Sequence, residues 1–200
     1  MGALTLQGAT SGQVTLQPPS VAGTSTITIP AGTGTIAVPG VSSSILQGTS
    51  STTTSGVAVA YTAIPAFVKR ITIILSGVST SGTSNYQVQL GTGSTTYTTS
   101  GYAAAFSNFT ASAVTTANAT TGFVLLTPAA SSELHSGVIT LYNLSGNIWV
   151  SQATIAATST TRNYISSGSI TLGSNLTAVQ LTTVNGTDTF NAGTLNVFYE

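Results

Sequence analysis

The chain has 200 residues, of which 41% are hydrophobic and only 3% charged, with a net charge of zero and no cysteine. Globular chains carry about 25% charged residues, so the balance excludes a basic stripe for nucleic acid. It also excludes disulfide staples, thiolate catalysis and cysteine-based zinc sites.

The first alternating piece is Leu4-Thr5-Leu6, ended by Gly8. Three more follow: Val14-Thr15-Leu16, Ile27-Thr28-Ile29 and Ile36-Ala37-Val38. Each stops at a breaker: Pro18-Pro19, then Pro30 and Gly32, then Pro39-Gly40. Alternation of apolar and small polar residues predicts strands with one buried face. Each offers only two large apolar side chains, and a lone hairpin of that size is marginal in water. Residues 1–40 are therefore expected to need a partner surface, with Val14, Leu16, Ile27, Ile29, Ile36 and Val38 as its assembly interface. The low-complexity stretch GTSSTTTSG, Gly48 to Gly56, predicts a linker or a turn within residues 41–56.

Residues 57–200 read as a β-domain. Strands are predicted at Val57–Tyr61, Val68–Leu75, Tyr86–Leu90 and, more softly, Thr95–Thr99 and Tyr102–Phe109. The apolar run Gly122–Thr127 predicts a strand buried on both faces. Gly137–Leu144 and Asn147–Ile155 flank Ser145-Gly146 as a hairpin. Tyr164–Leu172, Leu176–Val184 and Leu195–Tyr199 complete the set. Turns are expected at Gly77–Ser84, Ser159–Arg162 and Asn185–Gly193. Ser and Thr interleave with Val, Ile and Leu at period two, which is strand chemistry rather than disorder. No segment predicts a helix with any strength; the alanines between Gly101 and Ala113 are the one alternative. The fold class is all-β: a short N-terminal β-segment followed by an antiparallel, jelly-roll-like β-sandwich.

The material for catalysis is thin. General acid–base work needs a His or paired carboxylates; the chain has one His and three acidic residues, Glu133, Asp188 and Glu200. Glu133 and His135 are two apart and read as an exposed loop with a weak local contact. Asp188, in Asn-Gly-Thr-Asp-Thr, reads as a turn residue that stabilises its own backbone. No Gly-x-Ser-x-Gly elbow surrounds a serine. Successive strand residues face opposite ways, so of Lys69-Arg70 one can lie in solvent while the other reaches a partner or an interface carboxylate; the alternative is an ordinary solvated strand entry. Trp149 reads as core. The expectation is no enzyme, no cofactor and no metal. The longest apolar-rich run, Ile71–Leu75, is far too short to span a membrane. Met1-Gly2-Ala3-Leu4-Thr5 shows no signal-peptide pattern.

Several stretches carry a resemblance. Gly8 to Ile36 (GATSGQVTLQPPSVAGTSTITIPAGTGTI) resembles a segment of tail-fibre and other virion proteins of tailed bacteriophages. Ile64–Thr72 (IPAFVKRIT), Leu75–Ser84 (LSGVSTSGTS), Ser136–Tyr142 (SGVITLY) and Val184–Val197 (VNGTDTFNAGTLNV) look like a phage structural domain. The resemblance implies a homotrimer with an N-terminal attachment segment and a distal β-sandwich. That makes the chain a virion fibre or spike, assembled in the host cytoplasm, with itself, other tail, neck or capsid proteins and a host-surface glycan as partners. The alternative is a capsid decoration protein that cements the head. It implies no catalytic residues. Recognition is expected in loops at the end of the head far from residue 57, with Arg162, Asn185 and Asp188 as receptor-binding candidates.

Overall fold

The structure, a computed structural model, describes residues 4–7, 13–16 and 45–200. The chain divides into two compact units, residues 1–37 and 38–200. In the first, β1 (Leu4–Gln7) and β2 (Gln13–Leu16) form an antiparallel pair. The register sets Leu4 opposite Leu16 and Leu6 opposite Val14. Val14 and Leu16 therefore lie in a hairpin, while Ile27, Ile29, Ile36 and Val38 lie outside the described residues.

The second unit begins its strands with β3 (Leu46–Gln47), β4 (Ser51–Thr52), β5 (Ala58–Tyr61), β6 (Arg70–Thr80) and β7 (Tyr86–Gly91). It continues with β8 (Ala103–Thr110), β9 (Val114–Ala119), β10 (Phe123–Leu126), β11 (His135–Ser145) and β12 (Ile148–Ala157). It ends with β13 (Arg162–Thr171), β14 (Ala178–Thr183) and β15 (Phe190–Tyr199). There is no helix among the described residues. A four-stranded sheet runs β10-β7-β14-β5, and a nine-stranded sheet runs β3-β15-β6-β11-β12-β13-β8-β9, with β4 also on β15. Every pairing is antiparallel.

Taking β3 and β4 as one interrupted edge strand leaves a pattern of eight. Numbered along the chain and setting aside two hairpin additions, they run 1-8-3-6 in one sheet and 2-7-4-5 in the other. That is the order of a jelly roll. The additions, β8–β9 and β12–β13, both widen the larger sheet. The sheets meet through alternating residues: Ile71, Ile73 and Leu75 of β6 and Ile139 and Leu141 of β11 pack in one core with Val88, Leu90, Val179 and Leu181. Fully burying each such side chain stabilises the fold by roughly 1.5–3 kcal/mol. Trp149 belongs to that core, and β10 is buried at every position, as the apolar run predicted.

Several local expectations fail for backbone reasons. The stretch read as a linker, residues 41–56, supplies β3 and β4: Leu46 pairs with Tyr199 and Ser51 with Leu195. Short hydroxyl-rich strands look like a joint because they lie on a sheet edge and bury little. The Gly77–Ser84 turn begins late, because β6 continues to Thr80 through a bulge. Gly77 (φ +62°) and Gly193 (φ +96°) face each other there, and a Cβ on Gly193 would lie 2.5 Å from the Gly77 carbonyl oxygen. Both left-handed conformation and close approach therefore demand glycine at 193. The alanine-rich stretch after Gly101 is strand β8, and its exposed partner β9 carries too little apolar alternation to be read from sequence. Thr95–Thr99 contributes only one bridge, Tyr97 with Gly91.

Candidate functional site

The strand ends place the three expected turns together. β6, β7, β14 and β15 bring Ser81–Asn85 beside residues 184–189, while β11, β12 and β13 bring Leu134 beside Thr158. This end also holds residues 56 and 57: Phe190 N–H donates to Gly56 O at 2.8 Å and Thr182 Oγ1 to Val57 O at 2.8 Å. The expectation that the turns lie far from residue 57 is thus corrected. The chain enters along β15 from the Tyr199 end and reaches residue 57 only after running the length of the sheet edge. The turns are far from Leu46, not from Val57.

Asn185 and Asp188 are brought together, and their side chains serve the fold. Asn185 Oδ1 accepts from Thr187 N (3.0 Å), Asp188 N (3.2 Å) and Thr183 Oγ1 (2.9 Å). Its Nδ2 donates to Asp188 Oδ1 at 2.8 Å. Asp188 Oδ2 accepts from Ser84 N at 3.0 Å, which ties the β14–β15 loop to the β6–β7 loop. The carboxylate occupies the space a Cβ on Gly82 would fill. Asp188 does more than brace its own turn: it joins two loops about a hundred residues apart in sequence.

Arg162 sits apart from that pair, on a buried cluster. Its Nε is 3.8 Å from Glu133 Oε1. Glu133 and His135, expected in an exposed loop, are 3% and 0% exposed. The correction follows from strand parity: His135, Ile139 and Leu141 of β11 all point inward. Glu133 accepts from the Thr160 hydroxyl and from Ala129 N–H at 2.6 Å. Burial pushes its pKa up, but the Thr160 and Ala129 hydrogen bonds, with His135 and Arg162 nearby, outweigh this and hold it below the usual carboxylate value. His135 Nδ1 lies 3.3 Å from Val78 O. Its Nε2 is 3.4 Å from Glu133 Oε2, close enough for attraction but without hydrogen-bond alignment. Burial, only partly opposed by Glu133, lowers the imidazole pKa, so the ring is neutral at pH 7. Tyr86 and Tyr164 wall it with ring centroids at 5.1 and 5.7 Å, their hydroxyls pushed up to about 12 chiefly by burial. The cluster plugs the gap between the sheets. No solvent-open pocket reaches it among the described cavities, and among the described residues no group of three His, Asp or Glu could hold a metal.

At the opposite end Arg70 pairs with Glu200, and Lys69 Nζ donates to Asn143 Oδ1 at 3.2 Å. Arg70 thus meets a carboxylate of its own chain, and both residues stand at a solvated strand entry. Between the ends, the outer face of the large sheet carries a row across four strands, Ile74, Val138, Thr154 and Ile165, each opposite the next. Tyr142 and Val150 form a second pair beside it. Ile74, Val138, Tyr142 and Ile165 are all more than a third exposed. Among the described residues of that face, Arg70 and Glu200 at one edge bring the only charges. Sequence reasoning missed this face, although the alternate residues of the β11 and β13 segments are visibly apolar on both sides.

The outer face of the small sheet is different. Gln87 and Gln89 of β7 point outward yet are nearly buried. With Thr121, Gln180, Thr182 and the Asn185-Gly186 turn they line a pocket of about 320 Å³. No family model, no curated protein and no solved structure matches this chain, so its geometry stands by itself.

Proposed function

We propose that the chain is a structural protein of a bacteriophage particle: a trimeric fibre or spike attached through its N-terminal segment, with the β-sandwich as the domain that meets the host surface. The observation that carries this reading is the outer face of the nine-stranded sheet, which exposes Ile74, Val138, Tyr142 and Ile165 and carries only the Arg70–Glu200 pair as charge among its described residues. Clusters of exposed large apolar side chains on one sheet face mark association sites. The row Ile74, Val138, Thr154 and Ile165 crosses four adjacent strands, and near-zero net charge removes the repulsion that would keep copies apart. The resemblance of Gly8 to Ile36 to tail-fibre segments supplies the setting.

The test is mass. Light scattering of the full chain should give three times the monomer mass of 19.9 kDa, and Val138→Lys with Ile165→Lys should shift it toward monomer. A fully folded, strictly monomeric wild-type chain would overturn the reading. Imaging of the particle then separates tail or neck density from density spread over the capsid lattice; the latter makes the chain a decoration protein.

A further inference from the structure

We propose that the outer face of the four-stranded sheet binds a neutral, hydroxyl-rich ligand, a saccharide by chemical class, in the pocket floored by Gln87, Gln89 and Gln180. For its biological occupant the proposal rests on the host-attachment reading; as a binding site it stands on the geometry alone.

The floor is a fixed hydrogen-bonded chain on adjacent strands. Gln180 Nε2 donates to Gln89 Oε1 at 2.8 Å, and Gln89 Nε2 donates to Thr121 O at 2.8 Å. Thr121 Oγ1 then donates to Gln87 Oε1 at 3.0 Å. A glutamine amide has two N–H donors and two acceptor lone pairs. Gln87 and Gln89 each have their amide oxygen and nitrogen bonded within the protein, Gln87 Nε2 to Thr183 O at 3.4 Å, and hold the floor in place. Gln180 Oε1 has no protein partner among the described hydrogen bonds and is the atom offered to a ligand. Gly122 permits the arrangement, since a Cβ there would lie 2.6 Å from the Gln87 side-chain oxygen Oε1. Amides held this way on rigid strands are oriented before any ligand arrives.

The lining selects the ligand class. It contains amides, hydroxyls, backbone and the exposed apolar side chain of Val184, but no charged side chain. A charged ligand would lose hydration and find no counter-charge. An apolar ligand would strip water from Gln180 Oε1 and put no hydrogen bond in its place. A polyol satisfies that oxygen and leaves its own outer hydroxyls in water. The volume of about 320 Å³ lies at the lower end of the roughly 300–1,000 Å³ typical of small-ligand sites. The other cavities fit less well. The cleft beside Trp149 offers about 40 Å³, and the wider trough over Ala103–Ala105 and Gly168 presents mostly small apolar surface.

The full chain is titrated by calorimetry with neutral trisaccharides built from glucose, galactose or N-acetylglucosamine, and with a sialylated trisaccharide for comparison. Saturable binding of at least one neutral sugar is expected, weakened about five- to tenfold in Gln180→Ala through loss of one or two hydrogen bonds. Gln180→Ala also removes the bond to Gln89 Oε1, so its thermal midpoint is measured beside its affinity to separate loss of fold from loss of ligand; Thr182→Ala serves as a second variant, measured in the same way, and should weaken binding to a smaller extent. Absence of binding to every neutral sugar overturns the proposal. So does equal binding by wild type and both variants, or preference for the sialylated sugar. Sugar binding by the pure protein with normal host adsorption of particles carrying Gln180→Ala would sustain the pocket and remove the attachment role.

Discussion

At one end of the sandwich Arg70 meets Glu200 in the open; at the other Glu133 is shut between two sheets with Arg162, His135, Thr160 and the Ala129 amide around it. Both are carboxylates beside an arginine. Their depth separates them. Water competes for the Arg70–Glu200 pair and ions screen it, so such contacts contribute little. Glu133 has no water to return to. Its stabilising partners are obligatory, because removing the charge orphans an amide and a hydroxyl, and removing the partners orphans the charge. The two ends teach that a chain with three acidic residues can spend one of them on closing its core.

The comparison is broken most severely at Glu133. Glu133→Ala should destabilise the domain by about 3–5 kcal/mol in denaturant titration; a loss no larger than that of an exposed pair would erase the distinction. Next is Asp188, which fastens two loops with charge-assisted bonds to Ser84 N and Asn185 Nδ2. Asp188→Ala should cost about 1–3 kcal/mol and raise hydrogen exchange at Ser84 more than at strand amides; unchanged exchange at Ser84 would show the tie to be idle.

Acid provides a gentler probe of the deep end. The His135 pKa is lowered below its ordinary 6.5 in the folded chain, so below that pH the unfolded chain binds more protons. Stability should be flat above about pH 7 and begin to fall as pH drops through 6.5. Glu133, with its pKa held below 4.5, adds to the loss as pH falls further through its folded value. The groups facing His135 are Glu133, Tyr86 and Tyr164, with Arg162 beyond Glu133. His135→Phe should remove the portion of the slope that starts near pH 6.5 and leave the lower portion; a profile flat from pH 7 to 5 in the wild type would contradict the burial argument. The smallest effect is expected at the shallow end. Arg70→Ala should leave the thermal midpoint within about 2 °C and make it no more salt-dependent than the wild type.

Much of the architecture was legible. The run Arg70-Ile71-Thr72-Ile73 and the Ser145-Gly146 hairpin announce strands through period two and through turn chemistry, both local properties. His135 was legible too, through its parity with Ile139 and Leu141, had polarity not argued for the surface. Arg162 and Glu133 were not: they lie 29 positions apart, and nothing in either neighbourhood names the other. The Gln87–Gln89 spacing marked two outward positions on a strand, but only the arrival of Thr121 and Gln180 from other strands turned them into a pocket floor.

By itself the sequence determined an all-β chain without disulfides, the first two N-terminal strands and a larger patterned domain, because alternation and turn residues act over a few positions. Only the tertiary structure decided which strands share a sheet, that residues 46–52 form its edge rather than a joint, and that the expected recognition turns gather beside residue 57. The reason is physical. Period two says that a strand has two faces, but which face is buried, and against what, depends on strands brought together from distant parts of the chain.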